Sequence, residues 1–297
     1  MANTVNSNLQ NNIISQSALE QFTSILAPLD SFSTSFNDEA AEKGKTISIT
    51  TINNTSSAID FAGTYSDMNT TYGATQITLN KHKFVSWHVT DTETAQSSAV
   101  ELQRFGYQKG GDLAKVVFQD VLSEVKGANF THKEEVAVAD FDSDEVADLR
   151  KKAVNNNLPV DQCSLVLQND MYTSLLKDTD ISHAMNYGGA EAIRDGAVPS
   201  LFGIGSIYES NSIPENADNI KGFLAHPSCM AVAMRYLQPN NTKEYIAARR
   251  LSDPATGIVL GYREFYTPST GVQTAVLECM YGYAVGLADS LIRLKTP

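Results

Sequence analysis

The sequence predicts an α+β fold, and three observations carry that reading. An alternating strand around Ile77–Val89 runs straight into a long helical stretch. A mixed run of short strands and helices follows from about Gln162, and the chain closes on β-rich segments. In the first strand the odd positions Ile77, Leu79, Val85, Trp87 and Val89 are apolar. Thr78, Asn80, His82, Ser86 and His88 between them are polar, the period of a strand with one buried and one wet face. Lys81, Lys83 and Phe84 interrupt the alternation and place a bulge or an exposed stretch there. Asp91-Thr-Glu-Thr94 then opens a helix whose apolar set, Val100, Leu102, Phe105, Leu113, Val117, Val121, Leu122 and Val125, follows three- and four-residue steps. About 30 residues at ~1.5 Å each give a rod of roughly 45 Å. Gly106, Gly110 and Gly111 each cost roughly 1 kcal/mol against Ala in a helix interior, so they predict a kink, close packing, or two helices.

Upstream, residues 1–43 are rich in Asn, Ser and Thr, with five acids and no base before Lys43. Ala18–Leu26 has the pattern of a short helix, and the rest reads as an arm that orders against something else. From Thr46 the chain alternates to Ile52, breaks at Asn53–Ser57, and alternates again from Thr75. Two strands around an irregular excursion read as an extended hairpin with a protruding tip. Phe61, Tyr65 and Tyr72 at that tip suit contact with a neighbouring chain.

Downstream, Asp142 and Glu145 have the spacing of a capping pair for a helix from about Ser143 to Asn155. Ser164–Leu167 reads as a buried strand, Asp170–Lys177 as a helix, and Gly196–Tyr208 as strands and turns. Lys221–Ala225 reads as a strand and Met230–Leu237 as a helix. Tyr245–Ala248, Ile258–Tyr262 and Val272–Tyr283 make the end β-rich.

A chain of 297 residues with 42% hydrophobic content has enough apolar surface for a substantial core. Its net charge of −12 argues against a surface built to grip nucleic acid, but not against a wall that encloses it. The three cysteines, Cys163, Cys229 and Cys279, lack paired spacing and read as free thiols in a reducing compartment. With no base before Lys43 and no apolar run near ~20 residues, neither a signal peptide nor a membrane span is expected.

The search for chemistry returns little. Asp140-Phe-Asp-Ser-Asp144 imitates a calcium loop, but Glu145 and Lys151 stand where Gly and a bidentate Glu belong. His82 and His88 share a strand face ~20 Å apart, too far for one metal. His226-Pro-Ser-Cys229 offers imidazole, hydroxyl and thiol without the third orienting group a nucleophile needs. Gly203-Ile-Gly205 lacks the third glycine of a dinucleotide fingerprint. Walker, Gly-x-Ser-x-Gly and His-Glu-x-x-His patterns are missing. The late aromatics Tyr262, Phe265, Tyr266, Tyr281 and Tyr283 read as core. The expectation is a non-enzyme with no catalytic site, cofactor or metal.

Taken in order, the pieces resemble the major capsid protein of tailed bacteriophages, with its Hong Kong 97-type fold. Ile77–Val85 entering Asp91 looks like the strand that leads to the spine helix. Leu165–Leu176 looks like the turn opening an axial domain, Gly196–Ser210 like its glycine-rich approach and strand, and Tyr281–Val285 like the closing strand. The resemblance implies an N-terminal arm (1–45), an extended β-hairpin (46–80) and a peripheral domain with the spine helix (81–160). An axial domain (161–255) and strands returning to the peripheral domain (256–297) complete it. It further implies pentamers and hexamers of copies of the chain, closing into an icosahedral shell around double-stranded DNA. Portal, scaffolding and decoration proteins would be partners, with no membrane and no cofactor. Its place would be the virion capsid, assembled in host cytoplasm. A charged helical scaffolding segment is missing from the N-terminal region, which implies a separate scaffolding protein or none. No cross-linking lysine–asparagine pair is assigned. Two alternatives stand beside it: an encapsulin-type compartment, and a soluble α/β enzyme whose test site is His226 and Cys229.

Overall fold

The computed structural model describes residues 7–34, 46–53, 60–61, 63, 71–92, 99–179, 181, 198, 200–241, 244–253 and 258–297. Helix α1 (Ser7–Leu26) lies along α2 (Ala99–Leu122), the predicted spine. Ile14, Ala18, Phe22 and Leu26 recur every four residues on α1 and are buried against Leu113, Ala114, Val117, Phe118 and Val121. The stretch expected to hold a short helix within an arm thus forms a full helix in the main core. The glycines of α2 explain the fit. A Cβ on Gly106 would stand 2.6 Å from the carbonyl oxygen of Ile14, and one on Gly110 2.3 Å from that of Ala18. Close packing is therefore the reading the structure selects for these two glycines.

A six-stranded sheet lies beside the helix pair. It holds β1 (Ser33–Thr34), β4 (Lys81–Thr90), β9 (Met230–Arg235), β10 (Ala247–Ser252), β11 (Val259–Thr267) and β12 (Val272–Val285). β12 is its axis. Residues Val272–Tyr281 pair with β4 along one edge, while the other edge takes β11 first and β9 from Met280 onward. Val85, Trp87 and Val89 of β4 face the core with Ala275, Leu277 and Cys279 of β12.

A second sheet, in the order β5-β13-β8-β6-β7, holds β5 (Lys133–Glu135), β6 (Ser164–Leu167), β7 (Ser206–Glu209), β8 (Ile220–Ala225) and β13 (Leu291–Lys295). Both of its faces are covered. Val166, Phe223, Ala225 and Leu291 enter the helix-pair core. Leu165, Leu167, Leu224, Ile292 and Leu294 enter a second core with α3 (Ser143–Asn155) and α4 (Asn169–Lys177). Two-sided burial is why these strands read as continuous apolar runs. The capping pair forms as expected: Asp142 accepts from the Asp144 amide at 2.8 Å, and Glu145 accepts from the Asp142 amide at 3.2 Å. The calcium-like acids thus serve a helix start.

Two expectations need correction. Met230–Leu237 is not a helix; Met-Ala-Val-Ala-Met-Arg forms β9, buried between β1 and β12. The helix propensity of Ala and Met yields there to a position in mid-sheet. The strand read through Ile77–Val89 is two: β3 (Thr71–Thr78) ends, Leu79 and Asn80 intervene, and β4 takes a different partner. The helix expected from Asp91 has helical residues at 91–92, and 93–98 lie outside the described residues.

Candidate functional site

The most unusual element is a ribbon of two antiparallel strands, β2 (Thr46–Asn53) and β3, paired from Thr46↔Thr78 to Asn53↔Thr71. Among the described residues no other strand pairs with either outer edge. Eight residues a strand at ~3.4 Å each make it about 27 Å long. Thr-Ile-Ser-Ile-Thr-Thr-Ile-Asn and Thr-Tyr-Gly-Ala-Thr-Gln-Ile-Thr contain no charge at all. Free edges are normally blunted by Lys, Pro or a covering element, and a lone two-stranded ribbon is marginal in water.

Its root is well fixed. Ile77 and Leu79 are fully buried with Ala231 and Ala233 of β9, against Met280 and Ala284 of β12. Gly282 permits the crossing: a Cβ there would meet the Thr78 carbonyl oxygen at 2.3 Å. Of the expected contact residues, Phe61 is 63% exposed. Tyr65 lies outside the described residues. Tyr72 sits in β3 opposite Ile52, and its side chain is likewise outside them. The expected contact surface thus falls largely outside the described residues.

The groups that carry chemistry are committed to structure. His226 Nδ1 lies 2.8 Å from Ser228 Oγ and Nε2 lies 3.3 Å from Gln162 Oε1, while Ser228 Oγ donates to Ser290 Oγ at 2.8 Å. Cys229 beside them is fully buried, and burial pushes its thiol well up, away from the thiolate a nucleophile requires. Burial likewise raises Cys163 to about 11 and Cys279 to about 12. His82, read as an exposed polar residue, is half-exposed but holds Glu278 at 3.1 Å. Glu278 is buried and also meets Arg263 within 2.5 Å. A second buried charge, Arg293, pairs with Asp218 and donates from Nε to the Phe130 carbonyl at 2.8 Å. Sequence reasoning missed both pairs, since Arg293 sits inside an apolar run and its partner lies 75 residues away. An open groove of about 890 Å³ lies between α1 and β10, lined by Leu19, Glu20, Arg249 and Arg250 among others. Among the described residues no group of three or more His, Cys, Asp or Glu has metal-binding geometry, and no helix is long and apolar enough to cross a membrane.

No family model matches the sequence, and no curated protein matches it. Solved structures do. The capsid of Cyanophage P-SCSP1u superposes with a TM-score of 0.63 at 16% identity, over 90% of this chain and 87% of that one. A chain of Mycobacterium phage Che8 gives 0.61 at 16% identity over 89% of each. A virus-like particle from Pyrococcus furiosus gives 0.52 at 12% identity, over 95% of this chain and 97% of the other. The class is an α+β protein with two sheets on one helix pair. Within that class, the chain has the fold of phage capsid subunits over nearly its whole length, as the resemblance in the sequence implied.

Proposed function

We propose that this chain is the major capsid protein of a tailed bacteriophage. It is a structural subunit whose copies form pentamers and hexamers, closing into an icosahedral shell around double-stranded DNA. The observation that carries this reading is the agreement in fold with phage capsid chains over 89–90% of this chain. The uncharged ribbon agrees with it. A neighbouring copy would add strands to the outer edges of β2 and β3, which no other strand pairs among the described residues, by backbone hydrogen bonds across subunits. The net charge of −12 suits a wall that holds DNA without adhering to it. In this reading residues 46–80 reach over a neighbour with Phe61, Tyr65 and Tyr72 in the contact, and 161–255 meet their copies at the symmetry axes. Residues 81–160 would be the peripheral domain and 256–297 its returning strands, while the segment expected as an arm, 1–45, contributes α1 to the core along the spine helix. The virion capsid, assembled in host cytoplasm with portal, scaffolding and decoration proteins, is the setting.

The agreement with a virus-like particle keeps a second reading, a protein-filled compartment, in view at a lower TM-score. Negative-stain microscopy with light scattering on purified protein, alone and with candidate scaffold, tests both. Closed particles of uniform size are expected, with nucleic acid absorbance in native particles. Particles filled with protein favour the compartment. A 32.3 kDa species that forms no particle under any of these conditions overturns the shell.

A further inference from the structure

Lys81 stands where the ribbon becomes sheet. It is the first residue of β4 and lies directly opposite Tyr281 of β12. Its Nζ donates to both oxygens of Asp120 on α2, at 3.0 and 2.9 Å, and to Tyr283 Oη at 2.5 Å. The same ammonium lies 4.4 Å from the centroid of the Tyr283 ring. Tyr281 Oη donates to Asp120 Oδ2 at 2.6 Å. One cation, one carboxylate and two phenols thus join the root of the ribbon, the axial strand and the spine helix. Burial opposes the Lys81 charge, but its hydrogen bonds to Tyr283 and Asp120 outweigh burial and leave its pKa raised, so it is a held cation. Burial first, and then Asp120, push the Tyr281 hydroxyl up, so it stays a donor.

The arrangement has a direction. Tyr281 and Tyr283 share the face of β12 turned toward α2, whereas Met280, Gly282 and Ala284 share the opposite face. Ile77 and Leu79 pack on that opposite face. Between Leu79 and Lys81 the chain therefore straddles the edge of β12, with an apolar grip on one side and the Lys81 clasp on the other. A ribbon of about 27 Å is a lever: a rotation of about 5° at its root moves its far end by about 2 Å. Interlocking surfaces packed like protein interiors do not absorb a shift of that size.

We propose that Lys81 is a positioning residue, whose clasp on Asp120, Tyr281 and Tyr283 sets the angle at which the ribbon leaves the spine helix. Resting on the shell reading, this angle fixes how the ribbon of one copy meets a second copy, and so the uniformity of the particle. Lys81→Met keeps the stem and removes the charge and its donors; Lys81→Arg keeps the charge. Particle diameters and amide exchange of unassembled subunits are read for both and for the parent chain. The expected result for Lys81→Met is a melting temperature near the parent's, at least tenfold faster exchange across residues 71–80 with unchanged exchange in α2, and a diameter distribution at least twice as broad. Lys81→Arg restores both readouts. Should Lys81→Met fail to fold, Asp120→Asn, which keeps shape and an acceptor for Tyr281, is read the same way. Parent-like exchange across 71–80 overturns the clasp whether or not shells form. Fast exchange with parent-like diameters overturns its role in assembly. A parent chain that forms no particles counts against the shell reading alone.

Discussion

Gly110→Ala sets two known effects against each other, and the structure decides between them. In an isolated helix the change stabilises by about 1 kcal/mol, because Gly has more backbone freedom to lose on folding. Here the new Cβ would lie 2.3 Å from the carbonyl oxygen of Ala18, 2.8 Å from its Cα and 2.9 Å from its carbonyl carbon. All three are backbone atoms, which no rotamer change can move. Reaching ordinary contact requires α1 to retreat by roughly 1 Å, and a gap of that size forfeits a quarter to a half of the dispersion attraction of the atoms lining it. The lining is the main core: Ile14, Ala18, Phe22 and Leu26 against Leu113, Ala114, Val117 and Phe118. Overpacking of this kind costs about 1–3 kcal/mol, which outweighs the propensity gain and leaves a net loss. Gly111 is the internal control. The nearest atoms to a Cβ there belong to side chains, Gln21 Cγ and Ile25 Cδ1 at 3.4 Å and Gln21 Nε2 at 3.9 Å, so Gly111→Ala should gain about 0.5–1 kcal/mol. At ~2–4 °C per kcal/mol, thermal melts of unassembled subunits followed by circular dichroism should separate the two variants by several degrees in opposite directions. If Gly110→Ala melts at or above the parent, or both variants move together, α1 does not cross α2 in this register.

Three further outcomes are expected. Thr50→Lys places a charge on the uncharged strand β2; folded subunits that fail to form particles by light scattering are expected, and parent-like particles would argue against the ribbon as an assembly element. Asn216, at a φ of 49°, donates from Nδ2 to the carbonyls of Leu122 and Val125 at 2.7 Å each and so caps the end of α2. Asn216→Ala should cost about 1–2 kcal/mol in urea melts, with the fastest new amide exchange in the last turn of α2. Burial lowers the pKa of His226 despite Asp161, so the folded state prefers the neutral ring and the unfolded chain binds the proton first. Stability should therefore fall as pH drops through the unfolded histidine value of about 6.5 and level off below the folded one, and His226→Gln should flatten that slope between pH 7.5 and 5.

What the sequence revealed and what it hid follow one physical line. Local signals were legible: the Asp142–Glu145 box needs only residues three apart, and the alternation of Val85, Trp87 and Val89 needs only one wet face. Signals that depend on distant partners were not. Met230–Arg235 is buried on both faces, so it shows no alternation, and only its neighbours β1 and β12 make it a strand. Helix α1 is half hidden because its core stripe includes Ala18, a small residue in a run of Ser, Asn and Gln, and what makes Ala necessary is Gly110 some ninety positions on. The glycines themselves were ambiguous until α1 was in place. The ribbon was legible as a hairpin but not in its root, since Gly282 is separated by two hundred residues from the Thr78 carbonyl it admits.

These distant pairings converge on one strand. β12 carries β4 on one edge and β11 and then β9 on the other, so it registers the whole six-stranded sheet. Its final third does more, because its two faces hold different things: Tyr281 and Tyr283 reach the spine helix through Asp120 and Lys81, while Met280, Gly282 and Ala284 seat Ile77 and Leu79. A strand can do both only by alternation, one residue toward each side. The position of the ribbon is thereby tied to the same residues that tie the sheet to the helix pair. Any movement of α2 along the sheet must then be transmitted to the ribbon or break the Lys81 contacts. In the shell reading, the internal packing of α2 and β12 is thereby coupled through Lys81 to the ribbon that meets a second copy.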